Sequence, residues 1–535
     1  MIRKLLIIIS SIIIATNVYS QTNGDDILYN KLSQTASFYT VNKQYLNDTS
    51  DCSSAEIVAS YRNGKTDGDF LVYQGKSHYE SRISGSGVKD YGKYGILNGK
   101  CFYANGKDRG ISWNAMRYPD LYLPYIITDS TGGDSSFETY CAQGGYSKNS
   151  GNWHFGFDFS FLGEQAYRLT DPRVLNNTTF LTFKLSSGKV FNNGNALMIS
   201  GYYMRNKQYL HDRYWRPGEQ QRFFVIYGFG LYDTKESVVA FGVSRMYYIN
   251  NAGAELSFLS PENKRFTIKG ILNYDYKKMY TEESDIMQLY NTHTHTFSPS
   301  MSVAYHGRGF DIKLYSFTDI LKRKGYENIL EKYITDEANS TYDYRKIADE
   351  QNYKFSNIIS NNSLRFALFI GDSEIGFESG AIVLCRKETN SKYAYKIKNL
   401  NVTPDFKTDF CFKTPNHKQR FDIGFKYSRQ ISVKNNYDVE IKNNAIPHVD
   451  FQTCFASYAY YSAEYDAYNA DFEYVYNFQK FSIGTRVNGF IVSGNRIRDV
   501  EYTKTVGYDS VCPMISKQAD KHNEKYINMS VFVKF

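Results

Sequence analysis

The sequence alternates apolar and polar residues over many segments of about ten residues, the strand length of a transmembrane barrel. Successive side chains of a strand point to opposite faces, so such a segment has one apolar face. In a soluble sandwich that face would be core, but its repetition along the chain favours contact with lipid. The clearest segment, NWHFGFDFSF, places aromatic rings at Trp153, Phe155, Phe157, Phe159 and Phe161.

Seven pairs of these segments are joined by short clusters rich in glycine, asparagine, serine and proline, which are the residues that reverse a chain tightly. With an opening strand near Tyr94–Ala104 and a closing strand at Lys525–Phe535, the count is about 16 strands. The range is about 14 to 18, because Asp67–Val88 could add a hairpin or be periplasmic. The predicted turns lie at Asn149–Asn152, Ser186–Asn195, Ser260–Lys264, Gly307–Gly309, Gly371–Ser373, Pro415–Lys418 and Asn477–Lys480.

Long polar segments such as Asn206–Asn251 and Asp319–Ser360 separate the hairpins. Long connections are unusual in compact soluble domains, whereas outer-membrane barrels combine short periplasmic turns with long extracellular loops. The sequence therefore predicts an all-β fold, a transmembrane antiparallel up-and-down β-barrel. Part of Asp319–Ser360 could form a helix, and this loop could fold into the lumen and plug it.

Both ends of the chain agree with that prediction. Residues 1–20 are typical of a secretory signal peptide, because Arg3 and Lys4 precede an apolar stretch too short to span a bilayer. Residues 21–66 are predicted to be a short periplasmic extension and residues 67–535 the barrel. The last strand would close the cylinder and resembles the signal read by the barrel-insertion machinery, with apolar residues at Ile527, Met529, Val531, Val533 and Phe535.

Composition narrows the function classes. Aromatic residues make up 17% of the chain, including 49 tyrosines, and membrane interfaces collect such rings. The net charge of +8 is spread along the chain without a long run of one sign, so nucleic-acid binding is not expected. Seven cysteines lack the spacing of a zinc site, and their pairing cannot be deduced.

Polar residues on the non-aromatic faces of the predicted strands would line the lumen, where they could tune a channel or neutralise one another. Two histidines, His293 and His295, could share a metal, but a third ligand is not evident, so polar loop or lumen positions are favoured. His211 and Asp212 are adjacent and would point apart on a strand, so they are poorly placed to act as an acid–base pair. Since no other set of catalytic or ligand residues has workable spacing, no catalytic residue, metal or cofactor is expected. The predicted lumen residues are Lys269, Asp275, Glu374, Glu378, Asp405, Lys407, Asp409 and Arg486.

Three further patches resemble a poorly characterised family of outer-membrane barrels, a domain of unknown function from Gram-negative envelopes rich in TonB-dependent nutrient transporters. They are Trp113-Asn114, the stretch LPYIITDSTGGD (Leu123–Asp134) and TDPRVLNN (Thr170–Asn177). The resemblance implies a barrel working beside a transporter and supplies no catalytic residue. The favoured interpretation of these patches is that they shape loops. The alternative is a cation site that uses Asp129, Asp134 or Asp171.

These observations lead to one principal functional expectation and one alternative. The first is an outer-membrane barrel that passes solutes or serves as an accessory subunit of a nutrient-import complex. The alternative is a non-conducting structural or docking barrel whose long loops bind a surface lipoprotein or another barrel. Expected partners are outer-membrane lipid, the insertion machinery, and a TonB-dependent transporter or surface lipoprotein.

Overall fold

The computed structural model describes most of the chain from Ser53 to Phe535. The predicted signal peptide, Cys52, Asp212, Cys454 and Cys512 lie outside the described residues. The described residues are 53–68, 71, 73–129, 131–211, 224–228, 231–233, 245–261, 265–283, 287–336, 338, 341–392, 395–439, 448–449, 460–496 and 522–535.

Strands dominate the described residues, with the short helix α1 (Pro119–Tyr122), three further helical residues at 460–462 and a 3₁₀ turn at Gly92–Tyr94. In chain order the strands are β1 (Ser54–Gly68), β2 (Ser77–Asp90), β3 (Ile96–Ile111), β4 (Tyr125–Thr128), β5 (Gly133–Ser150), β6 (Trp153–Arg168), β7 (Leu175–Val190), β8 (Ala196–His211), β9 (Phe224–Tyr227), β10 (Leu231–Asp233), β11 (Arg245–Leu259), β12 (Phe266–Glu283), β13 (Tyr290–His306), β14 (Phe310–Asp336), β15 (Thr341–Ile370), β16 (Ser373–Asn390), β17 (Tyr395–Lys413), β18 (Gln419–Val439), β19 (His448–Val449), β20 (Glu464–Asn477), β21 (Ser482–Arg496) and β22 (His522–Lys534).

Eighteen of these strands form one closed antiparallel sheet in which each strand pairs with its neighbours along the chain. The ring closes because β22 pairs with β21 on one side and with β1 on the other, from Glu56 opposite Lys534 to Gly68 opposite His522. Closure gives every strand two partners, so the sheet has no edge with unpaired amide groups. The remaining strands, β4, β9, β10 and β19, form a separate four-stranded sheet.

The two faces of the barrel wall differ sharply. On β6 the rings of Trp153 and Phe161 are 50% and 43% exposed on the outer face, while the residues that follow them, His154 and Leu162, are buried in the lumen. The same alternation continues around the barrel, with apolar side chains such as Leu364 and Phe425 exposed outside. The predicted aromatic outer face is therefore present on the observed wall.

The connections divide the barrel into two ends. The start of β1 and the C-terminal Phe535 lie at the end with short turns, where the backbone amide of Phe535 donates to the carbonyl oxygen of Ala55. All seven predicted turns are confirmed at this short-turn end, and an eighth turn joins β2 to β3. The longest connections, residues 112–132, 212–244, 440–463 and 497–521, leave and rejoin the wall strands at the opposite end, which we call the long-connection end.

Two strands precede the predicted start of the sheet. The barrel has 18 strands where the sequence predicted about 16, because β1 and β2 form an additional hairpin. The wall begins at Ser54, so part of the predicted periplasmic extension is barrel. Small residues such as Ala59, Ser81 and Gly85 occupy positions on these two strands where other strands carry rings, so the alternation is weak there.

Two predictions for Asp319–Ser360 were wrong. The segment forms neither a loop nor a helix, because β14 and β15 continue as one long hairpin from Phe310 opposite Leu368 to Asp336 opposite Thr341. Beyond the wall the hairpin is exposed on both faces, so its sequence loses the apolar alternation of a wall strand. Among the described residues, no helix has the length and apolarity needed to cross a bilayer.

Candidate functional site: the filled lumen

The lumen near the long-connection end is occupied by segments of the chain itself. Three connections contribute to the four-stranded inner sheet, in the order β19-β10-β9-β4. They are the connections from β3 to β5, from β8 to β11 and from β18 to β20. We call the described parts of these connections, residues 112–129, 224–228, 231–233, 448–449 and 460–463, the inner segments.

Aromatic side chains fasten the inner segments to the wall. Tyr122 and Tyr125 are fully buried, and the Tyr122 ring lies 4.8 Å from that of Tyr247 on β11. The Tyr125 ring stacks on Tyr290 of β13 with the centroids 4.5 Å apart. The hydroxyl groups of Tyr290 and Tyr227 lie 3.0 Å apart, which joins β9 to the same cluster. Offset-stacked and edge-on ring pairs of this kind add about 0.5–1.5 kcal/mol each beyond their buried area.

Polar wall side chains satisfy the backbone of the inner segments. The Arg323 guanidinium on β14 donates to the carbonyl oxygens of Asp120 and Leu123 at 3.0 and 2.9 Å. On the adjacent side of the barrel, the Tyr395 hydroxyl donates to the Tyr227 carbonyl at 3.1 Å. The carbonyl groups at the end of α1 lack partners within that helix, so the Arg323 charge and donors stabilise them directly.

Ion pairs supply a third kind of attachment. Arg117 of the first inner segment pairs with Asp108 on β3 at 2.5 Å and with Glu164 on β6. At the other end of that segment, the Asp129 carboxylate accepts from Arg168 on β6 at 2.6 Å, and both side chains are buried. Buried pairs contribute chiefly through the high cost of removing one partner. The first inner segment is therefore held at both of its ends.

The family-like patches occupy these attachment points. Asn114 donates to the carbonyl oxygens of Tyr73 and Met116, at 2.9 and 2.8 Å. Asn176 from the third patch donates to the Ala115 carbonyl at 2.9 Å. The guanidinium that binds Asp129 also donates to the Pro172 carbonyl. The three patches, which are distant in sequence, thus meet to hold the first inner segment.

The alternative interpretation of these patches, a cation site, is not supported by the geometry. Asp129 pairs with an arginine, Asp134 lies 3.0 Å from Lys107, and Asp171 lies 3.1 Å from Arg173. The three carboxylates therefore have separate cationic partners. Within the described ranges, histidine, cysteine and acidic side chains form no cluster suited to a metal ion.

One carboxyl group of the first inner segment lies in an unusual environment. Asp120 accepts hydrogen bonds from the Tyr73 hydroxyl at 3.3 Å and from the Gln74 amide at 3.2 Å. Burial raises the pKa of the Asp120 carboxyl above its ordinary value, although Arg386 and these hydrogen bonds oppose the shift. The protonated form is therefore favoured more in the docked segment than in water.

The eight polar residues predicted to face the lumen all lie on the face opposite the exposed apolar residues, and several are paired. Arg365 binds Glu374 at 2.8 Å and Asp409 at 2.6 Å, with these three side chains 15–23% exposed. Lys426 lies 3.3 Å from Asp405. The other predicted residues occupy the same face: Asp275 lies 3.6 Å from Lys277, Arg486 pairs with Glu473, and Lys269, Glu378 and Lys407 lie in register with lumen positions. That they line a conducting path stays a prediction.

The predicted closing strand is in place at the seam. The outer face of β22 carries Ile527, Met529, Val531 and Val533, and Phe535 follows the strand directly and is exposed. Phe532, which breaks the alternation, points into the lumen and is 1% exposed. The Arg486 guanidinium carbon lies 4.2 Å from the Phe532 ring centroid, a cation–π contact that places this ring among charged side chains. Recognition of the strand by the insertion machinery stays a prediction.

The histidines and cysteines considered in the sequence lie away from the inner segments or outside the described residues. His293 and His295 share the outer face with tyrosines, and the His295 ring nitrogen lies 2.8 Å from the Tyr274 hydroxyl. The expected lumen or loop position of these histidines was therefore wrong. His211 ends β8 and its ring stacks on Tyr209, while Asp212 lies outside the described residues. Among the described cysteines, Cys101, Cys141, Cys385 and Cys411 form no disulfide.

Sequence reasoning did not find the inner segments or the wall residues that hold them. The available signal was the stretch Ala115–Thr128, which lies within a connection yet is mostly apolar and does not alternate. An exposed loop of that composition would leave apolar surface in water, so it indicates a buried connection. Arg117 and Arg323 could not be singled out, because their partners are distant in sequence.

Comparison with solved structures finds large barrels of low similarity. The FrpB iron transporter from Neisseria meningitidis (F3-3 variant) is 10% identical, with 91% of this chain and 83% of that chain covered and a TM-score of 0.39. A mutant ferric enterobactin receptor from Pseudomonas aeruginosa, in complex with enterobactin, is 8% identical, with coverages of 90% and 81% and a TM-score of 0.38. BauA, the ferric preacinetobactin receptor from Acinetobacter baumannii, is 8% identical, with coverages of 90% and 80% and a TM-score of 0.34.

These likenesses are too weak to indicate what the chain does. Among curated proteins, no sequence matches it. A family profile does match, over residues 43–535, and the family is described as one of unknown function, DUF6850.

Proposed function

Since the chain belongs to the DUF6850 family of unknown function, we propose its role from its architecture: an outer-membrane barrel, closed to free diffusion, that acts as an accessory subunit of a nutrient-import complex. Support for the membrane location is the closed wall with its apolar outer face. Only closed barrels satisfy every strand hydrogen bond in hydrocarbon. The short-turn end, with the start of β1 and Phe535, then faces the periplasm.

The filled lumen carries the functional part of the proposal. An open diffusion channel needs a continuous aqueous path, yet Tyr122, Tyr125 and Tyr227 are fully buried within the lumen. Hydrogen bonds and ion pairs attach the inner segments to β3, β6, β14 and β17. A barrel closed in this way fits an accessory or docking role better than that of a porin. The link to nutrient import comes from the family resemblance.

Conductance in planar bilayers tests the closed lumen. The unmodified protein should give no steady ohmic current, whereas a variant lacking the first inner segment should give frequent openings. The chain permits this deletion because Ile111 and Gly133 are directly paired, so a short turn can join β3 to β5. A matched control replaces the turn at residues 307–309, which joins β13 to β14 at the short-turn end, away from the inner segments, and should remain silent. Steady current through the unmodified protein would reject the proposal.

The accessory role needs a separate measurement. Affinity purification of the tagged protein from detergent-solubilised membranes should recover another barrel or a surface lipoprotein in a fixed ratio. Recovery of the tagged protein alone, at the abundance expected for its expression, would count against an accessory subunit. It would leave the result for the closed lumen unchanged, so the two parts of the proposal fail independently.

A further inference from the structure

A band of positive charge lies on the outer face of the wall near the long-connection end. It comprises lysines on β12, β14, β15, β16 and β17, which are exposed or half-buried and alternate with lumen-facing neighbours. We call this set the basic belt: Lys278, Lys322, Lys324, Lys354, Lys387 and Lys398.

Strand register brings these lysines together across the sheet. Lys278 lies opposite His293, which lies opposite Lys324, and Lys324 lies opposite Lys354. One step closer to the short-turn end, Lys387 lies opposite Lys398. Like charges directly opposite on neighbouring strands destabilise a sheet. An anion bound outside the wall would therefore reduce the repulsion between these lysines.

Arginines in the lumen, unlike the basic-belt lysines, have carboxylate partners. Arg117, Arg168 and Arg365 each pair with a carboxylate inside the barrel. No basic-belt lysine makes an ion pair with any residue that the structure describes. The cations of the two faces therefore differ: these lumen arginines have carboxylate partners, whereas the basic-belt lysines point outward, away from the rest of the chain.

The position of the basic belt identifies the expected anion. On β14 the outward residues include Ile312, Leu314 and Ile320, and the first charge after them is Lys322. On β17 the outward residues Phe406 and Leu400 precede Lys398 in the same direction. The lysines thus begin where the apolar surface ends. In a bilayer this is the level of the lipid headgroups, where an anionic surface attracts lysine side chains.

Tyrosines next to the basic belt fit the same level. Tyr276 and Tyr274 lie on the outer face of β12, two and four residues from Lys278 towards the short-turn end. Tyrosine rings are enriched at membrane interfaces, where the ring lies in an apolar layer and the hydroxyl in a polar one. The aromatic and cationic residues together mark the boundary between acyl chains and headgroups on this side of the barrel.

We propose that the basic belt binds the phosphate groups of a phosphorylated glycolipid in the outer leaflet. This inference rests on the proposed membrane location and orientation. It assigns one side of the barrel, β12 to β17, as the lipid-binding side. On the opposite side, Lys65 lies opposite Lys525, but the outward Lys65 and Lys107 each pair with an aspartate, at 3.1 and 3.0 Å.

Native mass spectrometry of the full-length protein in detergent tests this assignment, with lipid A and dephosphorylated lipid A as probes. The unmodified protein should retain lipid A and bind the dephosphorylated form at least fivefold less. The triple variant Lys324→Gln, Lys354→Gln and Lys398→Gln should lose most of the lipid A. A matched variant with the substitutions Lys65→Gln, Lys107→Gln and Lys525→Gln should retain it.

Three results would overturn the assignment. Equal retention of lipid A by the two triple variants would show that the basic belt does not bind it. Equal binding of the dephosphorylated lipid would remove the phosphate as the recognised group. Displacement of lipid A by millimolar inorganic phosphate would identify free phosphate, not lipid, as the ligand. Flotation with lipid vesicles reports the membrane location separately, so failure of that premise is distinguishable from failure at the basic belt.

Discussion

Replacing Arg323 with methionine should open the lumen. The Arg323 side chain on β14 makes two hydrogen bonds to the first inner segment, at the carbonyl oxygens of Asp120 and Leu123. Hydrogen bonds from a charged donor contribute about 1.5–3 kcal/mol each, so the Arg323→Met variant should weaken docking by about 3 kcal/mol or more. At about 1.4 kcal/mol for each tenfold change, the ratio of open to closed barrels should rise roughly a hundredfold.

Single-channel recording in planar bilayers measures that ratio as open probability. The matched control is Arg365→Met, which removes another lumen arginine whose partners, Glu374 and Asp409, both belong to the wall. Both variants should fold to barrels with the same electrophoretic shift on heating. If Arg323→Met remains silent, or opens no more often than Arg365→Met, the inner segment does not close the lumen through this contact.

Three further substitutions test the seam and the attachment of the first inner segment. A Cβ atom at Gly484 would overlap the Phe532 ring, so Gly484→Val should reduce the folded fraction on unheated gels, while Gly489→Val, where a Cβ meets nothing within 4 Å, should not. Arg168→Met leaves a buried carboxylate without its counter-charge, so docking should weaken by about 3–5 kcal/mol and protease cleavage of the segment should increase. The pKa of Asp120 is raised in the docked state, so docking should be strongest below the ordinary carboxyl pKa and should weaken as the pH rises through the raised value. Protease cleavage of the unmodified protein should therefore increase over that pH range. Cleavage of the Asp120→Asn variant should not depend on pH in this way.

The wall could be predicted from sequence because lipid imposes a local rule on every strand. An outward residue must be apolar and a turn must contain residues that reverse the chain, and both signals can be recognised within about ten residues. The rule was weakest at β1 and β2, where Ala59 and Ser81 replace aromatic rings. The rule gave a wrong prediction beyond the wall. The end of the β14–β15 hairpin is exposed on both faces, so its residues do not alternate between apolar and polar.

The lumen could be predicted only in part. Side-chain direction alone placed Lys269 and Arg486 inside the barrel, because alternation fixes the face of every strand residue. The filling itself depends on contacts between residues far apart in sequence, such as Arg323 with Leu123 and Asn401 with Tyr461. No local pattern encodes such contacts, so the prediction that a loop plugs the lumen identified the wrong segment.

Each inner segment is joined at both ends to neighbouring wall strands, and for the first segment the strand pairing continues to Ile111 and Gly133 at its base. A plug built as a separate domain could leave through the periplasmic mouth, but a tethered segment of this kind cannot. Emptying the barrel would require the segments to swing outward over the rim, towards the cell surface. In the proposed orientation, a macromolecule that bound these segments from the extracellular side would therefore control access to the interior.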